Sequence, residues 1–297
     1  MKTAIDLALY LKTHAQHIEA RLDELIPETQ EPYKRLFQAA RYSLFSGGKR
    51  IRPIFALAAC QDLEGPLEHA LTPVCTLEMI HTYSMIHDDL PCMDNDDFRR
   101  GKPTLHKAFP EGHALLAADY LLTYAFEILT EAPDLTSDQK IQLIALLAKQ
   151  AGGHGMIAGQ VLDIEAETQP VDSEGLERIH RCKTGALLSA AVEFGGILAK
   201  APESTLETLR CFGSEIGLAF QIVDDILDVT ASEQKHGRKL SSDIQNSKKT
   251  YVTLLGLEGS KKAAQDQLEK ALDQLDQLPH HALLLSELSR YIIERKL

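Results

Sequence analysis

The chain has 297 residues, a formal net charge of −12, and no charge block or low-complexity linker that would mark a domain boundary. Since a chain of this length buries about three quarters of its extended surface, it needs neither disulfides nor structural metals, and we predict one domain over residues 1–297. The negative charge argues against a nucleic-acid partner, and it repels an anionic substrate unless cations and a local basic patch intervene.

The predicted elements are helices nearly throughout the chain. Residues 1–25 form an amphipathic helix, and apolar residues recur at three- and four-residue spacing in the segments that follow. The breaks fall at Gly and Pro, for example at Gly47, Pro91, Pro133 and Pro202. Strictly alternating segments are missing, so we predict an all-α fold, a single large bundle of about ten or more helices.

Three features predict a cytoplasmic protein. The five cysteines are scattered and lack CxxC spacing, which indicates a reducing compartment. The N-terminal helix contains acidic residues and does not resemble a signal peptide. No segment approaches about 18 apolar residues without a charge, so we predict no membrane span.

The first basic motif is the loop SGGKRIRP at residues 46–53. Lys49, Arg50 and Arg52 lie between a flexible diglycine and Pro53, which can open a helix at its first turn. An ammonium and a guanidinium beside free backbone N–H groups make a seat for phosphate. Taken alone, a basic loop of this kind is more often a solvated surface.

Two aspartate clusters, DDLPCMDNDD at residues 88–97 and DDILD at residues 224–228, each follow an apolar segment. Carboxylates are rarely buried unless they are paired or bind a metal, so the two clusters predict a cation site, although a single acidic run is usually a solvated helix end. Ligands that are all Asp favour Mg²⁺, which completes its shell with water and substrate phosphates. We therefore expect a phosphorylated substrate. The candidate metal ligands are Asp88, Asp89, Asp94, Asp224, Asp225 and Asp228.

The spacing differs between the two clusters. Asp224 and Asp228 are four residues apart and share a helical face, whereas the aspartate next to Asp224 lies about 100° round the helix. Asp88 and Asp94 are six residues apart and cannot share a face of a straight helix. Pro91 disfavours the α conformation at the residue before it, so we expect the helix that contains Asp88 to end or loosen here.

Three further basic segments follow the clusters. FRRGKPT contributes Arg99 and Arg100, which as neighbours on a helix would point in different directions and could serve two anions. Lys183 of KTG lies in an apolar helix, where it either reaches the surface or meets an anion, and Gly185 would loosen this turn. The polar stretch that ends near Lys248 is typical of a flap that closes over phosphates, and equally of a solvated loop.

Together GGKRIRP, EMIHTYSMIHDDLPCMDNDDFRRGKPT, KTG, GLAFQIVDDILDV and KKTY resemble the motifs of the trans-isoprenyl diphosphate synthases, most of all the bacterial farnesyl diphosphate synthases. The resemblance implies an isoprenoid synthase fold, a homodimer, and a central cavity with the two aspartate clusters facing each other across its mouth. It also implies a reaction in which isopentenyl diphosphate condenses with dimethylallyl or geranyl diphosphate to give farnesyl diphosphate, by ionisation, condensation and elimination.

The same resemblance implies roles for individual residues. Three Mg²⁺ held by the aspartates would clamp the allylic diphosphate. The residues expected to contact that diphosphate are Arg99, Lys183 and Lys248. Those expected to hold isopentenyl diphosphate are Lys49, Arg52, His81 and Arg100. The catalytic candidates, which would steady the allylic cation through carbonyl and hydroxyl oxygens, are Lys183, Thr184 and Gln221. Gln160 and Asp163 match family positions near the metals.

Product length is expected to depend on Tyr83, which lies five residues before Asp88 and therefore deeper along the same helix. A bulky ring there would stop a growing chain near the farnesyl stage, whereas the simpler interpretation is that Tyr83 only packs in the core. The Leu-Pro-Cys-Met spacing of the first cluster also occurs in geranylgeranyl diphosphate synthases. We therefore keep geranylgeranyl diphosphate synthase as an alternative.

Three other classes of protein share some of these sequence features. A terpene cyclase would share the fold but lack a second DDILD and the GGKRIRP loop. A non-catalytic helical subunit of a prenyltransferase complex would be expected to lose one aspartate cluster, and both are intact. His87 beside two aspartates could suggest a phosphohydrolase, but the other histidines form no convincing metal set. The chain departs from the family at Arg238 and Ser241, where Lys and Gly are usual.

Overall fold

The computed structural model describes residues 6–236, 249–278 and 281–294. Nearly all of the regular structure in these ranges is helical, and the prediction of an all-α fold is confirmed. In the same ranges no helix has the length and apolar character needed to cross a membrane. By their contacts the residues form two compact units, Met1–Leu57 with Pro66–Ile144 and Ala58–Gly65 with Ala145–Leu297. The single domain over residues 1–297 stays a prediction.

The first unit is built around one long helix. Its elements are α1 (Leu7–Leu25), α2 (Lys34–Leu44), the first part of α3 (Ile51–Asp62), α4 (Leu67–Asp88), the strands β1 (Phe98–Arg99) and β2 (Lys102–Pro103), α5 (Leu105–Ala108), α6 (Glu111–Glu131) and the first part of α7 (Ser137–Ala151). Helix α4 is apolar on most of its faces, and it packs against α1, α2 and α6. This packing buries most of α4 and holds its last turn, which contains Asp88, in a defined place.

The second unit surrounds a fully buried helix. Its elements are α8 (Met156–Ala166), α9 (Ser173–His180), a π-helical turn (Arg181–Gly185), α10 (Ala186–Leu198), α11 (Glu203–His236), α12 (Tyr251–Leu275) and α13 (Leu283–Glu294). Every residue of α10 is buried, which confirms the interpretation of its small and apolar residues as a central helix. Helix α11 packs against both α10 and α12.

Two glycines allow the π-helical turn to approach its neighbours closely. A Cβ atom on Gly159 of α8 would lie 2.2 Å from the backbone nitrogen of Lys183. A Cβ atom on Gly217 of α11 would lie 2.6 Å from the Cα atom of Gly185. Real Cβ atoms do not approach backbone atoms so closely, so both positions require glycine for the observed packing.

The segment FRRGKP corrects one expectation. We expected Arg99 and Arg100 on a helix, but they lie on a two-residue hairpin in which Arg99 pairs with Lys102. Arg100 and Gly101 have positive φ angles of 52° and 77°, as a tight turn between antiparallel strands requires. The two arginine side chains nevertheless point to different partners, as described below.

Candidate active site

The first aspartate cluster begins where α4 ends, at Asp88. The chain then turns back, and the backbone N–H of Asp94 donates a hydrogen bond of 2.8 Å to the carbonyl oxygen of Asp88. A second turn bond joins the N–H of Asn95 to the carbonyl of Leu90 at 3.1 Å, with Asn95 at a positive φ of 53°. The expectation that the helix ends or loosens before Pro91 is confirmed. The turn brings the backbones of two candidate ligands together although they are six residues apart in sequence.

The second aspartate of this cluster is paired with an arginine. Arg99 Nε donates to both oxygens of Asp89, at 2.8 and 3.0 Å, and its Nη2 lies 2.6 Å from Oδ1. Burial raises the pKa of Asp89, and the hydrogen bonds from Arg99 oppose that shift. Burial by itself would lower the pKa of Arg99, but its bonds to Asp89 outweigh this effect and raise it. Arg99 is thus oriented by a carboxylate of the cluster it follows.

The residues predicted to hold isopentenyl diphosphate include a neutral histidine close to arginines. Burial lowers the pKa of His81 well below its usual value, and the positive charges of Arg52 and Arg100 lower it further. Lys49 lies on the loop just before Arg52 and is exposed. Arg52, His81 and Arg100 all belong to the first unit, and the charges of both arginines act on His81.

The diglycine loop and the hairpin meet through Arg100. The Arg100 guanidinium donates a hydrogen bond to the carbonyl of Gly47, and its other Nη atom lies 3.7 Å from Met85 Sδ. A Cβ atom on Gly48 would lie 2.8 Å from Arg100 Nη1, and both glycines have positive φ angles, 98° and 146°. The loop can therefore receive Arg100 because Gly48 has no side chain, and the positive φ angles of both positions favour glycine.

Arg50, the middle basic residue of the loop, points into the protein. Its guanidinium is 2.7 Å from Glu78 Oε1 and 2.7 Å from the carbonyl oxygen of Leu44, and the residue is 2% exposed. Glu78 is also 2% exposed, so this is a buried ion pair. Sequence reasoning treated Arg50 only as one of three loop cations. The missed signal is Glu78, which lies in an apolar part of α4. A buried carboxylate needs a partner of opposite charge, so an arginine was to be expected beside it.

Tyr83, the predicted length-determining residue, is buried in α4 at 4% exposure. Its ring makes an edge contact with the ring of His87, with centroids 5.7 Å apart. Burial raises the pKa of the Tyr83 phenol to about 12, and the nearby charge of Asp88 adds to the shift. The hydroxyl group has no hydrogen-bond partner in the part of the chain that the structure describes. Among these residues the contacts of Tyr83 are therefore made by its ring, and its role in product length stays a prediction.

In the second unit the catalytic candidates lie on the π-helical turn and on α11. The Thr184 hydroxyl donates a hydrogen bond of 2.6 Å to Oε1 of Gln221. Lys183 Nζ lies 2.7 Å from Asp163 Oδ2 on α8, and both side chains are about one quarter exposed, at 25% and 23%. The expectation that the turn at Lys183 is loosened is confirmed, since a π-helical turn has wider hydrogen bonding than an α-helix. Lys183, Thr184 and Gln221 thus form one local group.

The DDILD cluster lies within α11, where its members have different surroundings. Asp224 is half-buried and Asp228 is exposed, one turn further along the helix. Asp225 is 5% exposed and accepts three hydrogen bonds, from Gln221 Nε2 at 3.1 Å, from His180 Nε2 at 3.2 Å and from the Tyr251 N–H at 2.9 Å. These donors use both oxygens of Asp225, so its carboxylate is already engaged within the protein.

Sequence reasoning missed His180, which contacts Asp225 in the structure. Lys248 and Arg238 lie outside the described residues. His180 stands between Ile179 and Arg181 in a segment rich in charged residues, three positions before Lys183, so the sequence gives no distinctive signal for it. Nothing in the sequence indicates that a residue of α9 meets one of α11.

The donor sets fit Mg²⁺ that is held partly by a substrate. No three His, Cys, Asp or Glu side chains gather as a metal site within the described residues. Mg²⁺ in proteins is usually bound through one or two carboxylates together with water and substrate phosphates. The pair Asp88 and Asp94, and the pair Asp224 and Asp228, are each oxygen-only sets of this size.

The chain matches the family model described as polyprenyl synthetase over residues 33–283. It is 45% identical to a farnesyl diphosphate synthase of Bacillus subtilis over 292 residues, which cover 97% of this chain and 98% of that protein. It is also 45% identical to "Heterodimeric geranylgeranyl pyrophosphate synthase large subunit 1, chloroplastic" of Arabidopsis thaliana, over 92% of this chain and 75% of that protein.

Solved structures are similar over the whole length. An FPP/GFPP synthase from Zymomonas mobilis, in its apo form, matches with a TM-score of 0.86 and 38% identity, covering 97% of this chain and 99% of that one. A geranyltransferase from Helicobacter pylori, complexed with magnesium and isoprenyl diphosphate, matches with a TM-score of 0.81 and 34% identity, covering 99% of each chain. At identities of 38% and 34%, the similarity to these two proteins extends beyond the fold to the sequence.

Proposed function

This chain belongs to the polyprenyl synthetase family, and we propose that it is a Mg²⁺-dependent short-chain trans-prenyltransferase that joins isopentenyl diphosphate to dimethylallyl or geranyl diphosphate. The proposed main product is farnesyl diphosphate. The observation that best supports this activity is the turn at the end of α4, which brings the backbones of Asp88 and Asp94 together in the same unit as Arg52, His81 and Arg100. A carboxylate pair for cations and a cationic seat for an anion are the two requirements of a diphosphate substrate.

We propose that the carboxylates of both clusters take part in binding three Mg²⁺ ions. The proposed ligands are Asp88, Asp89, Asp94, Asp224, Asp225 and Asp228. Of these, Asp89 also accepts hydrogen bonds from Arg99, and Asp225 accepts them from His180 and Gln221. Bound Mg²⁺ would supply positive charge that stabilises diphosphate as a leaving group.

The first unit would bind isopentenyl diphosphate. Lys49, Arg52 and Arg100 supply positive charge, and the neutral imidazole of His81 can donate a hydrogen bond without adding another charge to the cluster. Binding here compensates the repulsion that the net charge of −12 exerts on an anion. The isopentenyl double bond, held near the allylic carbon, would itself be the nucleophile, and this proximity would supply much of the acceleration. Diphosphate would leave the allylic carbon and take a proton from the isopentenyl unit, which restores a double bond in the product.

The second unit would act on the allylic partner. Lys183 and Lys248, with Arg99 of the first cluster, would stabilise the departing diphosphate by charge. Thr184 and Gln221 present oxygen atoms that can steady a delocalised cation and are too weak as nucleophiles to trap it. In this structure Lys183 is paired with Asp163, so diphosphate would have to compete with that carboxylate for the ammonium group.

Product length separates the main proposal from its alternative. Tyr83 lies buried behind Asp88 along α4, which supports a short cavity and a fifteen-carbon product. Geranylgeranyl diphosphate synthase is the second candidate, since relatives with that name from Arabidopsis thaliana and Cyanophora paradoxa are 45% and 41% identical to this chain.

We infer a homodimer and a cytoplasmic setting as well. Ile157, Val161 and Ile164 follow one face of α8 and are 47%, 50% and 45% exposed, as expected of side chains covered in a dimer. The structure describes all five cysteines, and each is a free thiol, as a reducing compartment favours. Light scattering of the purified protein would give the oligomeric state, and Val161→Glu should shift it to the monomer.

The activity is tested by incubating the purified protein with labelled isopentenyl diphosphate, Mg²⁺ and each of three primers, namely dimethylallyl, geranyl and farnesyl diphosphate. The product alcohols are then sized. We expect fifteen-carbon product from the first two primers, little extension of the third, and no product when EDTA removes the metal. Twenty-carbon product from all three would favour the geranylgeranyl alternative.

No incorporation with any primer, in a preparation that is folded and contains Mg²⁺, would contradict the proposed enzyme. That result would favour the competing class, a non-catalytic subunit of a prenyltransferase complex. Binding of inorganic diphosphate, measured by calorimetry with and without Mg²⁺, separates the two possibilities further. An enzyme should show metal-dependent binding, whereas a subunit without a working site should show none.

A further inference from the structure

The second unit contains a buried group of side chains that we call the His180 cluster, namely His180, Asp225, Gln221 and Tyr251. Its centre is the carboxylate of Asp225, which is 5% exposed. Oδ2 of Asp225 lies 3.2 Å from His180 Nε2 and accepts the backbone N–H of Tyr251 at 2.9 Å, while Oδ1 accepts Gln221 Nε2 at 3.1 Å. The rings of His180 and Tyr251 are stacked with centroids 5.6 Å apart. The roles assigned above use neither His180 nor Tyr251.

The members of the cluster come from three helices. His180 is the last residue of α9 and directly precedes the π-helical turn that contains Lys183 and Thr184. Gln221 lies on α11, one turn before Asp225. Tyr251 is the first residue of α12. A single carboxylate therefore fastens the ends of α9 and α12 to α11.

The cluster determines how the Gln221 amide is oriented. Because Nε2 of Gln221 donates to Asp225, its Oε1 atom faces Thr184 and accepts the hydroxyl hydrogen at 2.6 Å. An amide that turned over would present N–H donors to Thr184 and would lose the acceptor that Thr184 uses. The carboxylate can hold this orientation only while its own position is defined, and His180 is the side chain that defines it from α9.

The cluster also defines where α12 begins. The first N–H groups of a helix have no partner within the helix, and Asp225 accepts the N–H of Tyr251 at that point. A carboxylate at a helix N-terminus is favoured by the helix dipole. Thr250 adds a capping box with Thr253, so the start of α12 is held by two independent devices.

We propose that His180 is a positioning residue for the prenyl transfer, acting through Asp225 on the Thr184 and Gln221 pair and on the start of α12. The inference rests on the proposed function for its kinetic consequence, but its structural consequence can be measured without any activity. All groups that His180 reaches belong to the second unit, whereas the residues proposed for isopentenyl diphosphate belong to the first. Its loss should therefore affect ionisation of the allylic substrate and leave the Michaelis constant for isopentenyl diphosphate unchanged.

Three variants separate positioning from simple packing. His180→Phe keeps a ring that can stack on Tyr251 but removes the donor. His180→Gln places an N–H group near the position of Nε2, and His180→Asn places one near the position of Nδ1. Since Asp225 is contacted by Nε2, Gln should preserve the bond and Asn should not. We expect kcat to fall about 10- to 100-fold in the Phe and Asn variants and to stay near wild type in the Gln variant, since small displacements of reacting groups have effects of this size.

Hydrogen exchange gives the second readout. The amide of Tyr251 should exchange several times faster in His180→Phe than in the wild type, because Asp225 is no longer held beneath it, and it should stay protected in His180→Gln. If His180→Phe does not fold, kcat and Tyr251 exchange are compared between the Gln and Asn variants. Higher kcat and slower exchange in the Gln variant would support a positioning role for His180.

Two results would overturn the inference. One is a His180→Phe protein with wild-type kcat and unchanged protection at Tyr251. The other is an equal loss of activity in all three variants, with both Michaelis constants raised and a lower melting temperature, since this indicates packing alone. If the wild type makes no product, the proposed function fails separately, and the exchange of Tyr251 still decides whether His180 positions the start of α12.

Discussion

The backbone N–H of Asp94 donates a hydrogen bond of 2.8 Å to the carbonyl of Asp88, so the first aspartate cluster closes on itself at the end of α4. This bond replaces one that α4 would have made if it had continued, and it satisfies a carbonyl of the last turn. As a result, the side chains of Asp88 and Asp94 start from neighbouring backbone positions, whereas a straight helix would direct them to different sides.

We expect Asp88→Asn and Asp94→Asn each to lower kcat by about 10²- to 10³-fold, the range found when one group that stabilises charge in a transition state is removed. Asp97→Asn is the matched control, because Asp97 belongs to the same cluster but pairs with Lys107 at 2.8 Å. It should keep most of the activity. Steady-state kinetics at several Mg²⁺ concentrations would check this. A fully active Asp88→Asn enzyme would exclude Asp88 as a metal ligand.

Arg50 and Lys49 are neighbours in sequence with opposite expected roles. Arg50→Met should destabilise the protein by about 3–5 kcal/mol, because it leaves Glu78 as a buried charge without its partner. Lys49→Met removes an exposed side chain and should change stability by less than about 0.5 kcal/mol. It should instead raise the Michaelis constant for isopentenyl diphosphate. Urea unfolding and kinetics on both variants test the contrast, and equal stabilities would refute it.

His81 should make the protein less stable in mild acid. Its pKa in the folded protein lies well below the usual value of 6.5, owing first to burial and then to nearby arginines. As the pH falls below 6.5, His81 becomes protonated in the unfolded chain but stays neutral in the folded protein, so the free energy of unfolding decreases. The slope contributed by one such group approaches about 1.4 kcal/mol per pH unit.

The comparison of His81→Asn with the wild type isolates this contribution. Urea unfolding between pH 7.5 and 5 should give a flatter pH dependence for the variant, whatever its stability at pH 7.5. His14, whose pKa is also lowered by burial, provides an internal reference because it is unchanged in both proteins. Parallel curves for the two proteins would show that His81 does not titrate as described.

Tyr83 can be tested for product length separately from packing. Tyr83→Phe removes a hydroxyl that has no hydrogen-bond partner among the described residues, so stability and product length should stay close to wild type. Tyr83→Ala removes the ring, should cost about 3–5 kcal/mol, and should shift the products toward twenty carbons. Chromatography of the product alcohols gives the answer. An active Ala variant with unchanged products would leave Tyr83 as a core residue only.

Gly217 should not tolerate even a methyl group. Its Cβ would lie 2.6 Å from the Cα of Gly185 on the π-helical turn, so Gly217→Ala must push α11 away from that turn. We expect a loss of about 1–3 kcal/mol, as in other overpacked sites, together with lower kcat. Gly112→Ala in α6 is the control, because nothing lies within 4 Å of its Cβ position. It should be neutral or stabilising by up to about 1 kcal/mol. Thermal melts of both variants would decide.

The sequence by itself predicted the all-α fold and several helix ends, although it missed the hairpin that contains Arg99. Apolar spacing identifies a helical face, and Gly and Pro act on the backbone at the position where they stand, so these signals are local. The end of α4 before Pro91 and the loosened turn at Lys183 were predicted for this reason. The identities of the candidate residues also came from the sequence, because Asp, Lys and Arg in apolar surroundings indicate chemistry wherever the fold later places them.

Partner choice was decided only by the tertiary structure. Asp89 is paired with Arg99 of the hairpin, and Asp225 of α11 is paired with His180 of α9. Arg50 and Lys49 differ in the same way, since a positive φ of 52° turns Arg50 toward Glu78. Such contacts join residues from different helices, and their energy depends on burial and distance, which no local sequence signal contains.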